Sequence, residues 1–229
     1  MQITRNQARI GYVALAAVDS YLASRPGTAA RRVRFVTKPL LMPVLATATQ
    51  LGGRGRSDGL LRGTQVAQLF SWKGDVALLG SSRLSFLRGV GGFFIAHVAY
   101  IAAFASARDP EASLSDPGPR TAAAAWVTTA PVMAVGAGRQ DPVLRVPIAA
   151  YASILSAMFA SSTTLRRSLP PRARREIVAG TSLFLLSDSL LGIQKFFLDR
   201  SSPRLEAAVM ATYTAGQWFI ADGVVAAET

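Results

Sequence analysis

The feature that most restricts this chain is the spacing of its apolar residues. They fall into runs of roughly 18–22 residues, about the length of helix that crosses a hydrocarbon core ~30 Å thick. The runs cover residues 8–24, 35–52, 60–80, 84–106, 121–138, 143–164, 176–198 and 205–226 of a 229-residue chain, and arginine-rich connectors separate them. No connector is long enough for a second folding unit. The longest, SARDPEASLSDPGPR at 106–120, is polar and turn-rich. A backbone in lipid must satisfy its own hydrogen bonds, so each run is expected to be a helix. The expected fold class is therefore all-α: a single integral-membrane domain over 1–229, built as a polytopic bundle of about eight transmembrane helices. Small residues, as in TAAAAWVTTAP (121–131) and GVGGFFIAH (89–97), would let the helices approach closely. The first run lacks a small-residue cleavage site and reads as a span rather than a removable leader.

A net charge of +12 first suggests nucleic acid. The placement of the charge excludes that partner. Of 25 basic residues only Lys38, Lys73 and Lys195 are lysines. The arginines lie in connectors or near run ends, as in AARRVRF (29–35) and LRRSLPPRARRE (165–176). There they snorkel and meet anionic headgroups, so the expected partner is membrane lipid. A slight arginine excess on the side of the termini places those termini in the cytoplasm of a cell-membrane protein. With no cysteine and one histidine, no metal or other cofactor is expected.

The lysines behave in the opposite way and fall inside apolar runs, where an ammonium is costly and normally faces protein or a wet cavity. At ~1.5 Å of rise per residue, Lys38 and Lys195 lie about 5 Å, Asp75 about 8 Å and Asp188 about 15 Å from the bundle end opposite the termini. Three separate runs thus place charged groups in one half of the bilayer, which suggests a pocket entered from that end. Asp188 and Lys195 are seven apart on one stripe, bordered by Thr181 and Gly192; His97 and Tyr100 are three apart, Tyr213 and Gln217 four apart. Pro39 and Pro43 are expected to irregularise the second run near Lys38. Blander readings stand beside these. Tyr151, Tyr213 and Gln217 read equally as glue between helices, and His97 as a structural histidine. Asp75 and Asp188 read as partners in buried Asp–Lys pairs, Lys73 and Asp19 as groups reaching an interface, and Asp222 as a span-end residue without a role.

TKPLLMP (37–43), KGDVALL (73–79), FFIAHVAYI (93–101), LLSDSLLGIQKF (185–196) and TYTAGQWFIA (212–221) occur in an order and over a length that resemble the YhhN-type lysoplasmalogenase family. The resemblance implies a polytopic hydrolase that cleaves the vinyl ether bond of a lysoplasmalogen, a lysophospholipid substrate. The products are a fatty aldehyde and a glycerophospho-ethanolamine or -choline. It also implies that Asp75 and Asp188 are the catalytic pair, and that Lys38 and His97 are the motif lysine and histidine.

Vinyl ether hydrolysis needs a protonated acid for the β-carbon and a negative group that faces the oxocarbenium ion and activates water. Two carboxyl groups in a pocket of low dielectric supply both roles, as in a glycosidase. The deeper Asp188 is expected to be the acid and Asp75 the base. Lys195, close to Asp188 in sequence, argues for the reverse. Lys38 is positioned for the substrate phosphate, and His97 for the water or an aspartate. Tyr100, Lys195, Tyr213 and Gln217 are the supporting polar set, and Phe93, Phe94, Phe184, Leu185 and Met42 the expected bed for the alkenyl chain. Two other classes use similar parts: a proton-coupled transporter and a non-catalytic lipid-binding protein. An intramembrane aspartyl protease shares only the Gly74-Asp75 pair.

Overall fold

A computed structural model describes residues 3–200 and 202–227. Eight α-helices account for most of them: α1 (Arg5–Ala23), α2 (Thr28–Gly52), α3 (Gly59–Ala77), α4 (Arg83–Ser106), α5 (Pro117–Gln140), α6 (Arg145–Ser162), α7 (Pro171–Phe197) and α8 (Pro203–Ala226). A single 3-10 turn, Pro142–Leu144, leads into α6. Each helix coincides with one apolar run, and most begin where local chemistry stops the backbone from fraying. Thr4 and Gln7 form a reciprocal cap on α1. Asp58, Ser82 and Ser202 accept from backbone N–H groups at the starts of α3, α4 and α8. Proline occupies the first turn of α5, α7 and α8, where its missing N–H costs nothing.

The helices differ from the apolar runs at their ends. α2 begins at Thr28, well before the run at 35, and carries Arg31, Arg32 and Arg34 on its first turns. α5 begins at Pro117, inside the stretch read as connector. Hydropathy marks the part of a helix that lies in hydrocarbon, whereas the helix itself continues into the headgroup layer.

The prolines of α2 do not break it. The helix runs through Pro39 and Pro43. Pro43 has no N–H to give the carbonyl of residue 39, and that freed carbonyl accepts from Trp72 Nε1 of α3 at 3.0 Å. The expected irregularity becomes an interhelical hydrogen bond one residue from Lys38.

Neighbours in sequence pair as antiparallel hairpins, α1 with α2, α3 with α4, α5 with α6 and α7 with α8. The hairpins close into a ring through α2 on α3, α4 on α6, α6 on α7 and α8 on α1, with α5 flanking α6 and α7. α8 also touches α2 and α3. The tightest approach is α7 on α8, where a Cβ added at Gly180 would lie 2.6 Å from the carbonyl oxygen of Gly216. Two glycines facing each other permit that backbone contact. On the side of the termini, Asp109 N donates to Thr164 O and Arg166 N to Ala107 O, which laces the α4–α5 and α6–α7 connectors together.

Four helical segments are long and apolar enough by composition to cross a membrane: Arg83–Ser106, Pro117–Gln140, Pro142–Ser162 and Pro171–Phe197. Of the other four, α8 packs mostly inside the bundle, and α1, α2 and α3 are turned inside out rather than short. α1, α2 and α3 expose Ile10, Val13, Val36, Leu40, Val66 and Leu69 outward while Asp19, Lys38, Gln68 and Asp75 point inward. Averaged hydropathy falls because polar groups are buried, not because the outer face is polar. The chain is an all-α polytopic membrane bundle.

Two readings of single residues change. Asp19, expected to reach an interface, is fully buried. It accepts from Thr37 Oγ1 at 2.6 Å and lies 3.5 Å from Arg34 Nη2. Asp222, expected to have no role, binds Arg5 at 3.0 Å, Arg9 at 2.9 Å and Arg172 at 3.6 Å. It ties α1 and α7 to α8. Lys73 does reach outward, with Nζ 4.7 Å from the ring centre of Phe70.

Candidate functional site

A cavity of about 560 Å³ enters the bundle at the end opposite the termini. α4 and α7 make no backbone contact with each other. The space between them holds the cavity and a set of rings. Phe93 of α4 meets Phe184 of α7 edge-on at 6.0 Å, and both meet Tyr213 of α8 at 5.7 and 5.4 Å. His97 stands against Phe184 at 4.9 Å.

Five of the eight expected site residues line this cavity: Lys38, Asp75, Asp188, Lys195 and Tyr213. They come from α2, α3 and α7, and α8 supplies Tyr213. The geometry divides them into two carboxyl centres. At the first, Asp75 is almost wholly buried, with Lys38 Nζ 3.5 Å from Oδ1 and Tyr213 Oη donating to Oδ2 at 2.6 Å. An ammonium and a hydroxyl thus converge on the two oxygens of one carboxyl group.

At the second centre, Tyr151 Oη of α6 donates to Asp188 Oδ2. His97 Nε2 lies 3.1 Å from Tyr151 Oη and 3.8 Å from Asp188 Oδ2. Tyr151 thus sits between the histidine and the aspartate. In sequence it reads only as possible helix glue. Its signal was depth, since it falls within a turn or two of the α6 end that shares the level of Asp188, but an isolated tyrosine has no motif to mark it.

Lys195 does not pair with Asp188. Its Nζ sits 4.8 Å from the ring centre of Phe86, and its backbone carbonyl accepts from Gln140 Nε2 at 3.0 Å. No ion pair between Lys195 and Asp188 occurs among the described residues.

Tyr100 and Gln217 lie below the cavity rather than on its wall. Tyr100 Oη donates to Gln217 Oε1 at 2.6 Å, and Gln217 Nε2 donates to Ser71 Oγ at 3.0 Å. Ser71 is one helical turn before Asp75. This chain of bonds is a floor that fixes α3 against α4 and α8. Below it, Leu45, Phe104 and Ile220 are fully packed. Of the residues expected to hold an alkenyl chain, Phe93 and Leu185 line the cavity; Phe184 and Met42 are buried behind its wall, and Phe94 lies outside it. Val90, Met133, Ile148 and Leu155 complete the apolar wall.

The arrangement offers one carboxyl group beside an ammonium, a second held by a tyrosine and a histidine, and an apolar slot leading away from both. No curated protein and no solved structure matches the chain. The YhhN family model matches residues 33–224, from the mouth-side turns of α2 almost to the end of α8. The match spans every helix that lines the two carboxyl centres, and the chain belongs to the YhhN family.

Proposed function

We propose that the protein is a lysoplasmalogenase-type hydrolase that cleaves the vinyl ether bond of a single-chain phospholipid. The observation that carries this reading is the meeting of Asp75 and Asp188, from helices far apart in sequence, on the wall of one cavity with opposite surroundings. Asp188 acts as the acid. Tyr151 occupies its Oδ2, which leaves Oδ1 to carry a proton toward the cavity. That proton passes to the β-carbon of the C=C–O unit and leaves an oxocarbenium ion. The anionic Asp75 faces the cation and accepts a proton from the water that adds to it. The hemiacetal then collapses to an aldehyde and an alcohol: Asp75 returns its proton to the departing alcohol oxygen, and the hemiacetal hydroxyl gives its proton to Asp188, so both carboxyl groups end as they began.

Burial makes this arrangement effective, because fixed charges act more strongly where water is excluded. Lys38 pairs with Asp75 at 3.5 Å, and no ion pair joins it to Asp188 among the described residues. The packed floor supports a lipid site entered from one end over a path through the membrane, which favours hydrolysis over transport. The test is purified protein in detergent given a vinyl ether lysolipid and its saturated ether analogue. Aldehyde release from the first alone is the expected result; release from neither, with the protein folded, ends the proposal.

A further inference from the structure

The ammonium of Lys38 is committed to Asp75 at 3.5 Å, so the substrate phosphate needs another partner. Arg34 lies one turn nearer the mouth on α2, about 6 Å along the helix axis, and also lines the cavity. Its side chain is only 16% exposed. A guanidinium carries five N–H donors, and those of Arg34 find little within the protein. Nη2 makes one hydrogen bond at 3.5 Å to Asp19, Nη1 stands 3.9 Å from Glu206 Oε1, and Nε is buried with no partner.

Asp19 explains where the guanidinium sits but leaves its donors unused. Fully buried near the end of α1 and gripped by Thr37, it holds the arginine on the cavity wall. Arg25, also at the mouth, is occupied differently: it bonds Tyr21 Oη at 2.5 Å and lies over that ring. Arg34 is therefore a sheltered planar fork with donors to spare, the geometry that matches the oxygens of a phosphate. Glu206, on the first turn of α8, lines the same mouth and is 44% exposed. Its long contact with Arg34 is easily exchanged.

We propose that Arg34 and Glu206 form a subsite for a zwitterionic headgroup, with the guanidinium on the phosphodiester and the Glu206 carboxylate on the cationic amine. The orientation rests on the hydrolase reading: with the phosphate one turn above Lys38, the three-carbon glycerol unit lowers the ether bond toward Asp75 and Asp188. The substrate class is then a single-chain lipid with a phosphoethanolamine or phosphocholine head.

The test uses binding, so that it does not depend on turnover. Purified protein in detergent is titrated calorimetrically with a saturated ether lysophosphocholine, the matching ether glycerol without phosphate, and the matching phosphate monoester. The wild type is expected to bind the phosphocholine lipid roughly 10–100-fold more tightly than the ether glycerol. Arg34→Gln closes that gap and leaves ether glycerol binding unchanged. Arg34→Lys, which keeps a cation beside buried Asp19, restores part of it. Glu206→Gln weakens the phosphocholine lipid severalfold and spares the monoester. Equal affinities in the wild type, or a full gap in both Arg34 variants, overturns the subsite. Displacement by inorganic phosphate alone, as complete as by the lipid, reassigns it to a free anion and also overturns it. Selective binding without cleavage of the vinyl ether lipid supports the subsite and refutes the hydrolase.

Discussion

Tyr213 Oη donates to Asp75 Oδ2 at 2.6 Å and so joins α8 to α3 across 138 residues of sequence. The same ring packs edge-on against Phe93 and Phe184. Position and charge stabilisation therefore come from different parts of one side chain. Tyr213→Phe keeps the ring packing and removes the donor. A hydrogen bond to a charged group contributes about 1.5–3 kcal/mol, so kcat for vinyl ether cleavage is expected to fall roughly 10–100-fold. Asp75→Asn removes the base itself and is expected to cost about 10²–10⁴-fold, the range of general acid–base catalysis. Aldehyde release by both variants, normalised to folded protein, checks the order; a Tyr213→Phe loss as large as that of Asp75→Asn contradicts it.

The Lys38–Asp75 pair predicts a stability pattern separate from activity. Removing one member of a buried ion pair leaves an uncompensated charge and costs about 3–5 kcal/mol, whereas removing both can be nearly neutral. Lys38→Met is therefore expected to lower the melting temperature in detergent strongly, and Lys38→Met with Asp75→Asn to recover most of the loss. Both variants remain inactive. A double variant less stable than Lys38→Met shows that the two groups are stabilised by something other than each other.

The helices were legible in the sequence because lipid imposes length and apolarity on each one, and the ends were less so because headgroup-layer turns such as Arg31–Arg34 carry no apolar signal. Depth along each run was enough to bring Lys38, Asp75 and Asp188 into one half of the bilayer. Rotation about each helix was not. Lys195 shares a stripe with Asp188 in sequence, yet its long side chain reaches across to Phe86 of α4. Tyr151 and Arg34 were missed for related reasons. Their roles arise from neighbours on other helices, His97 and Asp188 for the first and Asp19 and Glu206 for the second. A single sequence does not state those neighbours.

Adjacent glycines on α4 give a sharp test of the α3–α4 contact that positions Asp75. A Cβ added at Gly92 would lie 2.9 Å from Gly74 N and 3.0 Å from its Cα, whereas a Cβ at Gly91 meets nothing within 4 Å. Gly92→Ala is expected to push α3 and α4 apart at the residue beside Asp75, lowering the melting temperature and reducing kcat. Gly91→Ala is expected to be silent or stabilising by up to about 1 kcal/mol, since alanine favours helix over glycine. Detergent melting curves of the two variants suffice. Equal effects mean that the close backbone approach is not what holds Asp75 in place.

At the second carboxyl centre the order His97, Tyr151, Asp188 fixes a proton arrangement. Tyr151 donates its hydroxyl proton to Asp188, so it accepts from His97, and the imidazole must carry its proton on Nε2. His97 then acts on Asp188 chiefly through Tyr151, as a positioning residue. Tyr151→Phe removes the hydroxyl that donates to Asp188 and is expected to lower kcat roughly 10–100-fold, the loss of a hydrogen bond to a group that becomes charged in the reaction. His97→Gln is expected to cost less. Combined, the two substitutions should be no worse than Tyr151→Phe alone, because residues acting in series share one coupling energy of about 0.5–3 kcal/mol. KM should stay within about twofold in all three, since a carboxyl group whose proton is transferred only in the transition state contributes to kcat and not to ground-state binding. Multiplicative losses in the double variant would place His97 on the water or on the lipid itself, independent of Tyr151.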